Sequence, residues 1–218
     1  MEARVKHIIW DWNGTLLDDN HAVIQAVNAV CAHFKRGTIT HAEWQEIYTR
    51  PVSVSYSTLL GTELTVADWA NVDRLYHQAY RALLHTCGLQ RGADSALQGW
   101  RNAGGSQSLL SMFFHTELLP LVTQLGIADL FARIDGLREQ TGGDTKVEYL
   151  RRHLADLGKQ PDEVVLIGDI TDDAEAAAQL GVDCVLVSVG AMTRRRLQTT
   201  GAPVVDSVPE ALDLLRAA

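Results

Sequence analysis

Short apolar runs alternate with longer segments of helical periodicity along most of the chain. The first run, Val5 to Trp10, is rich in β-branched residues and stops at Asp11, just before Asn13-Gly14, which predicts a buried strand followed by a turn. Further strands are predicted at 107–112, 164–167, 184–189 and 204–205, and helices at 116–125, 146–157 and 172–180. The pattern predicts an α/β fold, a Rossmann-like doubly wound parallel sheet with helices on both faces.

A helical stretch interrupts this alternation directly after the first strand. An apolar face at helical spacing begins near residue 18, and its N-cap is one of the consecutive residues Asp18, Asp19 and Asn20. Two capping-box patterns, at 40–43 and 65–68, begin further helices, with a loop around 49–53 between them. We therefore expect an all-helical cap domain at residues 18–92, inserted into a core domain of residues 1–17 and 93–218.

Composition excludes several classes of protein. The net charge of −8 argues against a nucleic-acid or anionic-lipid partner, and the short basic run 194–196 does not change this. Three widely spaced cysteines form neither a disulfide framework nor a zinc motif, and no apolar run is long enough for a membrane span. We expect a cytoplasmic protein without a membrane or nucleic-acid partner, either a monomer or a homodimer.

Reactive side chains fall at the predicted strand ends. Asp11 lies at a strand tip beside the glycine of a turn, where a carboxylate can attack phosphorus while the turn's N–H groups hold phosphate oxygens. Asp169, Asp172 and Asp173 cluster after the strand at 164–167. Such a cluster of carboxylates favours a hard cation such as Mg²⁺. Asp172 is equally well placed to be the N-cap of the following helix.

The order of these motifs resembles the haloacid dehalogenase-like hydrolase superfamily over essentially the whole chain. Within it, the chain resembles the phosphoglycolate phosphatase-like and β-phosphoglucomutase-like members, whose helical cap follows the first motif. That motif is Asp-x-Asp-x-Thr, here Asp11-Trp12-Asn13-Gly14-Thr15. The resemblance implies that Asp11 is the nucleophile and that Gly14 and Thr15 help to bind the phosphate.

The same resemblance assigns the other motifs. It implies that the hydroxyl of Ser111 binds phosphate, that Lys146 neutralises the charge of phosphate and nucleophile, and that Asp173 is the last conserved acid. It places Mg²⁺ on Asp11, Asp169 and the main-chain carbonyl of Asn13, with Asp172 as a less certain ligand. Ser111 is preferred to Ser106 and Ser108 because it falls last in the predicted strand. The competing interpretations are a strand-closing turn for Ser111 and an exposed helix-start lysine for Lys146.

Asn13 departs from the family pattern, in which this position is an acid that protonates the leaving alcohol and later activates water. General acid–base help is worth about 10²–10⁴-fold, so its loss predicts a slow enzyme, and an Asn13→Asp variant should be faster. His115 is one candidate to replace the missing acid; a packed or solvated histidine is the alternative. Arg50, in the expected specificity loop of the cap, is a candidate for an anionic substrate group or a surface residue.

These observations predict a Mg²⁺-dependent phosphatase that hydrolyses a small-molecule phosphate ester through an aspartyl-phosphate on Asp11. The alternative is a phosphate-ligand binding or regulatory protein that retains the fold and has little or no turnover because of Asn13. A phosphomutase is disfavoured because it needs the acid–base group that position 13 lacks. A dehalogenase is disfavoured because Lys146 and the acidic cluster suit phosphate and Mg²⁺ better than a halide.

Overall fold

A computed structural model describes residues 5–138 and 145–217. Most of the Gly-rich loop that precedes Lys146, at 141–144, lies outside the described residues. The strands are β1 (His7–Trp10), β2 (Leu17–Asp18), β3 (Gly88–Leu89), β4 (Ser106–Phe114), β5 (Ile134–Leu137), β6 (Val164–Gly168), β7 (Asp183–Val187) and β8 (Val204–Val205). The helices are α1 (Asn20–His33), α2 (His41–Ile47), α3 (Val52–Leu60), α4 (Val66–Leu83), α5 (Ala93–Asn102), α6 (His115–Gln124), α7 (Lys146–Leu157), α8 (Thr171–Leu180), α9 (Arg194–Leu197) and α10 (Val208–Ala217).

Six strands form one parallel sheet in the order β5-β4-β1-β6-β7-β8. One face is covered by α5, α6 and α10 and the other by α7 and α8, so strands such as β1 and β6 are completely buried. The predicted α/β, Rossmann-like fold is confirmed. The sequence patterns did not predict α3, α5 or β5. They predicted that β4 ends at residue 112, whereas it ends at Phe114.

The first four helices form a helical insertion between β2 and β3. Its apolar residues build a cluster of their own that includes Val27, Trp44 and Tyr56. β2 and β3 pair antiparallel as a two-stranded ribbon, so the chain enters and leaves the insertion side by side. Among the described residues, two ion pairs join the insertion to the rest of the chain, Arg81 with Glu117 and Arg195 with Glu46.

The carboxyl ends of neighbouring parallel strands β4, β1 and β6 meet at one edge of the sheet. Ligands of open α/β sheets bind in the crevice beyond this edge. The helical insertion begins just after β2 and lines the same crevice. No helix of the described ranges, 5–138 and 145–217, is long and apolar enough to cross a membrane.

Candidate active site

Asp11 follows β1, and its backbone N–H donates to the carbonyl of Ile167 on β6, which fixes it at the edge of the sheet. Asp11 is 8% exposed, and its carboxylate pairs with the ammonium group of Lys146, the first residue of α7. Lys146 Nζ also lies 2.5 Å from Asp173 Oδ1. Burial lowers the pKa of Lys146, but the carboxylates of Asp11 and Asp173 outweigh it and raise this pKa above its ordinary value. Lys146 is therefore a buried cation held between two carboxylates.

Asp11, Asp169 and Asp173 form a carboxylate cluster, with one oxygen of each within 4.8 Å of the others. Asp173 is held by the N–H groups of Asp169 and Ile170, which donate to Oδ2 at 3.1 and 3.2 Å. Burial raises the pKa of Asp169 well above its usual range, and the other two carboxylates raise it further. When its carboxylates are ionised, the cluster carries more negative charge than Lys146 neutralises, and its hard oxygen donors are those that Mg²⁺ prefers.

Two glycines allow Asp169 to lie where it does. Gly14 has a φ of +72°, and a Cβ added there would come 2.4 Å from Asp169 Oδ2. Gly190, in the loop after β7, approaches more closely, since an added Cβ would lie 2.0 Å from the same oxygen. The oxygens of Asp169 accept hydrogen bonds from the Thr15 hydroxyl at 3.1 Å and from the Ala191 N–H at 2.6 Å. Asp169 is thus fixed on several sides.

A further buried carboxylate, Asp19, lies beside the loop that follows Asp11. Its Oδ1 accepts a hydrogen bond from Gly14 N–H at 2.9 Å, and its Oδ2 accepts from Asn13 Nδ2 at 2.9 Å and from the Tyr80 hydroxyl at 2.6 Å. Burial raises the pKa of Asp19, although these hydrogen bonds oppose the rise. Asp19 precedes α1 but makes no capping hydrogen bond there with its side chain. The sequence offered it only as one of three candidate N-caps, because Tyr80 lies far along the chain.

A cavity of about 400 Å³ separates the sheet edge from the helical insertion. Its floor includes Asp11, Asn13, Gly14, Ser111, Lys146 and Asp169. Ser111 lines it where the pairing of β4 with β5 is irregular, between Leu110 and Phe114. Ser111 Oγ accepts a hydrogen bond from the Phe113 N–H at 3.1 Å. From the insertion, Arg50 lines the cavity together with a largely aromatic wall, Trp44, Tyr48, Tyr56, Trp69, Tyr76 and Tyr80.

Three predicted site residues lie elsewhere. The hydroxyl of Thr15 is buried and donates to Asp169, so it holds that carboxylate and does not line the cavity. Asp172 is outside the carboxylate cluster, whose third member is Asp173. β4 continues past Ser111, so that His115 begins α6 beyond the cavity lining. The sequence also missed Gly190, whose role depends on a loop meeting Asp169 in space.

The arrangement of a carboxylate at a central strand tip, a buried lysine and an acidic cluster under a helical insertion corresponds to a known family. A model of the haloacid dehalogenase-like hydrolases matches residues 8–187, and the chain belongs to that family. The predicted family and the prediction of a hydrolase are confirmed.

Among its relatives, the chain is similar to two phosphoglycolate phosphatases. The protein of Chromobacterium violaceum is 26% identical, with 97% of each chain covered. That of Synechococcus elongatus is 28% identical, with 87% of each chain covered. Among solved structures, a predicted phosphatase from Clostridium acetobutylicum has the same fold, with a TM-score of 0.85 at 17% identity over 98% of this chain and 99% of the other.

Proposed function

We propose that this protein is a Mg²⁺-dependent phosphatase that hydrolyses a small-molecule phosphate monoester through an aspartyl-phosphate on Asp11. The observation that carries the proposal is the position of the Asp11 carboxylate, which lies on the cavity floor in contact with Lys146 and within the carboxylate cluster. The similarity to two phosphoglycolate phosphatases supports the same reaction class.

Two displacements at phosphorus make up the proposed reaction. A carboxylate oxygen of Asp11 forms a bond to phosphorus while the ester P–O bond breaks, and the departing alkoxide takes a proton from water. A second water then attacks the phosphorus, releases the Asp11 carboxylate and leaves inorganic phosphate. Lys146 stays protonated throughout and offsets the charge that gathers on the phosphoryl oxygens, while Ser111 offers its hydroxyl to them.

The residues that would hold Mg²⁺ are Asp11, Asp169 and the main-chain carbonyl of Asn13, with Asp173 in place of Asp172 as the nearby acid. The excess of buried carboxylate charge fits a divalent cation. When bound, the ion offsets charge on the transferring phosphoryl group. Thr15 and Ala191 hold Asp169 in place for that role through their hydrogen bonds.

The helical insertion, proposed as a cap at residues 18–92, supplies the wall that meets the organic part of the substrate. Half-buried Tyr48, Trp69 and Tyr76 give that wall an aromatic character, which supports a substrate with a larger and more apolar organic part than glycolate. Arg50 interacts electrostatically with Asp172 and Asp11, so it is placed to bind an anionic group near the phosphate.

Phosphate release from a panel of monoesters, including 2-phosphoglycolate and aryl phosphates, tests the proposal with and without Mg²⁺. Wild type should be active only with the metal, and Asp11→Asn should abolish turnover, because an amide cannot form the phosphorylated intermediate. Asp94→Asn, an exposed change of the same chemistry on α5, is the control and should leave turnover unchanged. Full activity in Asp11→Asn would contradict the assignment of the nucleophile.

Asn13 is the one observation that favours the second candidate, a phosphate-binding or regulatory protein with little turnover. Calorimetry separates the two functions. Binding of phosphate monoesters by a protein that releases no phosphate from any member of the panel would support the binding function over the enzyme.

A further inference from the structure

Three polar atoms form a closed triangle beside the proposed nucleophile. Asn13 Nδ2 donates to Asp19 Oδ2 at 2.9 Å and to the Tyr80 oxygen at 2.7 Å, while the Tyr80 hydroxyl donates to Asp19 Oδ2 at 2.6 Å. Both hydrogens of the amide nitrogen are therefore used, and the phenol donates its only proton. Asp19 is 1% exposed and also holds the N–H of Gly14, so it is fixed to the same loop as Asn13.

This triangle determines the orientation of the Asn13 amide. A flip of the amide would place Oδ1 against the carboxylate of Asp19, where two acceptors would face each other without a proton between them. Asn13 Oδ1 is consequently the polar atom that remains for the cavity, on whose floor Asn13 lies. An amide oxygen in that position accepts a hydrogen bond but does not transfer a proton.

We propose that Asp19 and Tyr80 are positioning residues that lock the Asn13 amide, so that its Oδ1 accepts a hydrogen bond from the water that attacks phosphorylated Asp11. The proposal rests on the phosphatase function above and deepens it. The attacking water is oriented by Asn13 and loses its proton to solvent. This chain thus has the buried carboxyl group at position 19 and a neutral hydrogen-bonding group at position 13.

The sequence alone predicted that the single variant Asn13→Asp would be faster than wild type. The structure predicts that it is not faster. Its new carboxylate would lie against that of Asp19, and the two would either repel each other or share one proton. In both cases the new acid is not free for the reaction. The double variant Asn13→Asp/Asp19→Asn moves the charge to position 13 and restores a donor opposite it, so it should recover what the single variant loses.

Through Tyr80, the orientation of the Asn13 amide depends on the helical insertion. It lies on α4, and the neighbouring Arg81 forms a two-point hydrogen-bonded ion pair with Glu117 on α6, at 2.9 and 2.7 Å. The phenol reaches the Asn13 loop only while α4 packs on this part of the sheet. Water is therefore oriented for attack when the insertion covers the cavity.

p-Nitrophenyl phosphate with Mg²⁺ tests the positioning role, because a good leaving group makes attack of water the slow step. Tyr80→Phe removes only the hydroxyl and should lower steady-state kcat by about fivefold. Its kcat/KM and the initial burst of nitrophenol, which both report phosphorylation of Asp11, should stay at wild-type values, so KM falls together with kcat. Tyr149→Phe is the matched control, since this tyrosine on α7 does not line the cavity.

Thermal unfolding of the four combinations at positions 13 and 19 needs no enzymatic activity. Asn13→Asp should lower the Tm by about 4–8 °C, and adding Asp19→Asn should restore most of that loss. If this pattern of Tm values holds but wild type hydrolyses no monoester, the phosphatase function is wrong. The proposed arrangement of Asn13 and Asp19 then still stands. The proposal is overturned if Asn13→Asp is both faster and as stable as wild type, or if Tyr80→Phe has the same kcat as Tyr149→Phe.

Discussion

Gly190→Ala is a sharp test of how Asp169 is held in the carboxylate cluster. The added methyl group would lie 2.0 Å from Asp169 Oδ2 and 2.5 Å from its Cγ, far inside van der Waals contact. The backbone of Gly190 is not in the left-handed region, so the substitution acts through this contact and not through backbone strain. Asp169 has a short side chain whose other sides are occupied, so it must move by at least about 1 Å.

A shift of that size has calculable consequences. It breaks the hydrogen bond from the Ala191 N–H to Asp169 Oδ2, which costs about 1–3 kcal/mol of stability. A misplacement of about 1 Å in a catalytic arrangement lowers the rate by roughly 10²-fold. We therefore expect kcat/KM to fall about 100-fold and the Mg²⁺ concentration for half-maximal activity to rise, while the protein still folds.

The assay is a Mg²⁺ titration of phosphate release, with the Tm measured in parallel. Gly37→Ala is the control because no heavy atom lies within 4 Å of the added Cβ and its φ is not in the left-handed region. If Gly190→Ala and Gly37→Ala have the same kcat/KM and the same Mg²⁺ dependence, the reasoning about Asp169 is refuted.

Two further predictions concern pH and the acidic cluster. Burial, with help from Lys159 and His153, lowers the pKa of His7 to about 4. The unfolded chain therefore binds a proton that the native chain does not, and about 2 kcal/mol of stability should be lost as the pH falls from 7 to 5. Urea unfolding of His7→Gln should lack this part of the pH dependence; an unchanged slope would contradict the assignment. Separately, Asp173→Asn should reduce phosphate release by roughly 100-fold and Asp172→Asn by less than about fivefold, because Asp173 forms an ion pair with Lys146 and Asp172 does not. Equal losses would argue against this distinction.

The regular part of the fold was accessible from sequence because its patterns are local. The bounds of α7 were predicted as found, and α6, α8 and β6 to within a residue. α3 was missed because its β-branched residues do not favour a helix, and packing of Tyr56 and Leu59 overrides that preference. β5 is short and contains Asp135 and Gly136, which do not favour a strand.

Only part of the candidate site could be predicted from the sequence. Strand ends in a parallel sheet must converge, so the grouping of Asp11 with Asp169 follows from topology. The surroundings of Asp19 and the approach of Gly190 to Asp169 depend on residues far apart in sequence that meet only in the folded chain. No local pattern marks such contacts.

The ribbon of β2 and β3 makes the helical insertion an exchangeable module. Because its two ends lie side by side, with Leu17 opposite Leu89, another segment with adjacent ends would graft onto the same sheet without moving Asp11. Substrate preference can therefore be redesigned, or diversify during evolution, separately from the chemical step. Asp19 and Tyr80 both lie within the exchanged segment, so a transplanted lid must bring its own carboxylate and hydroxyl to hold Asn13. A library of such chimaeras would reveal this requirement as a recurrent pair of the two groups.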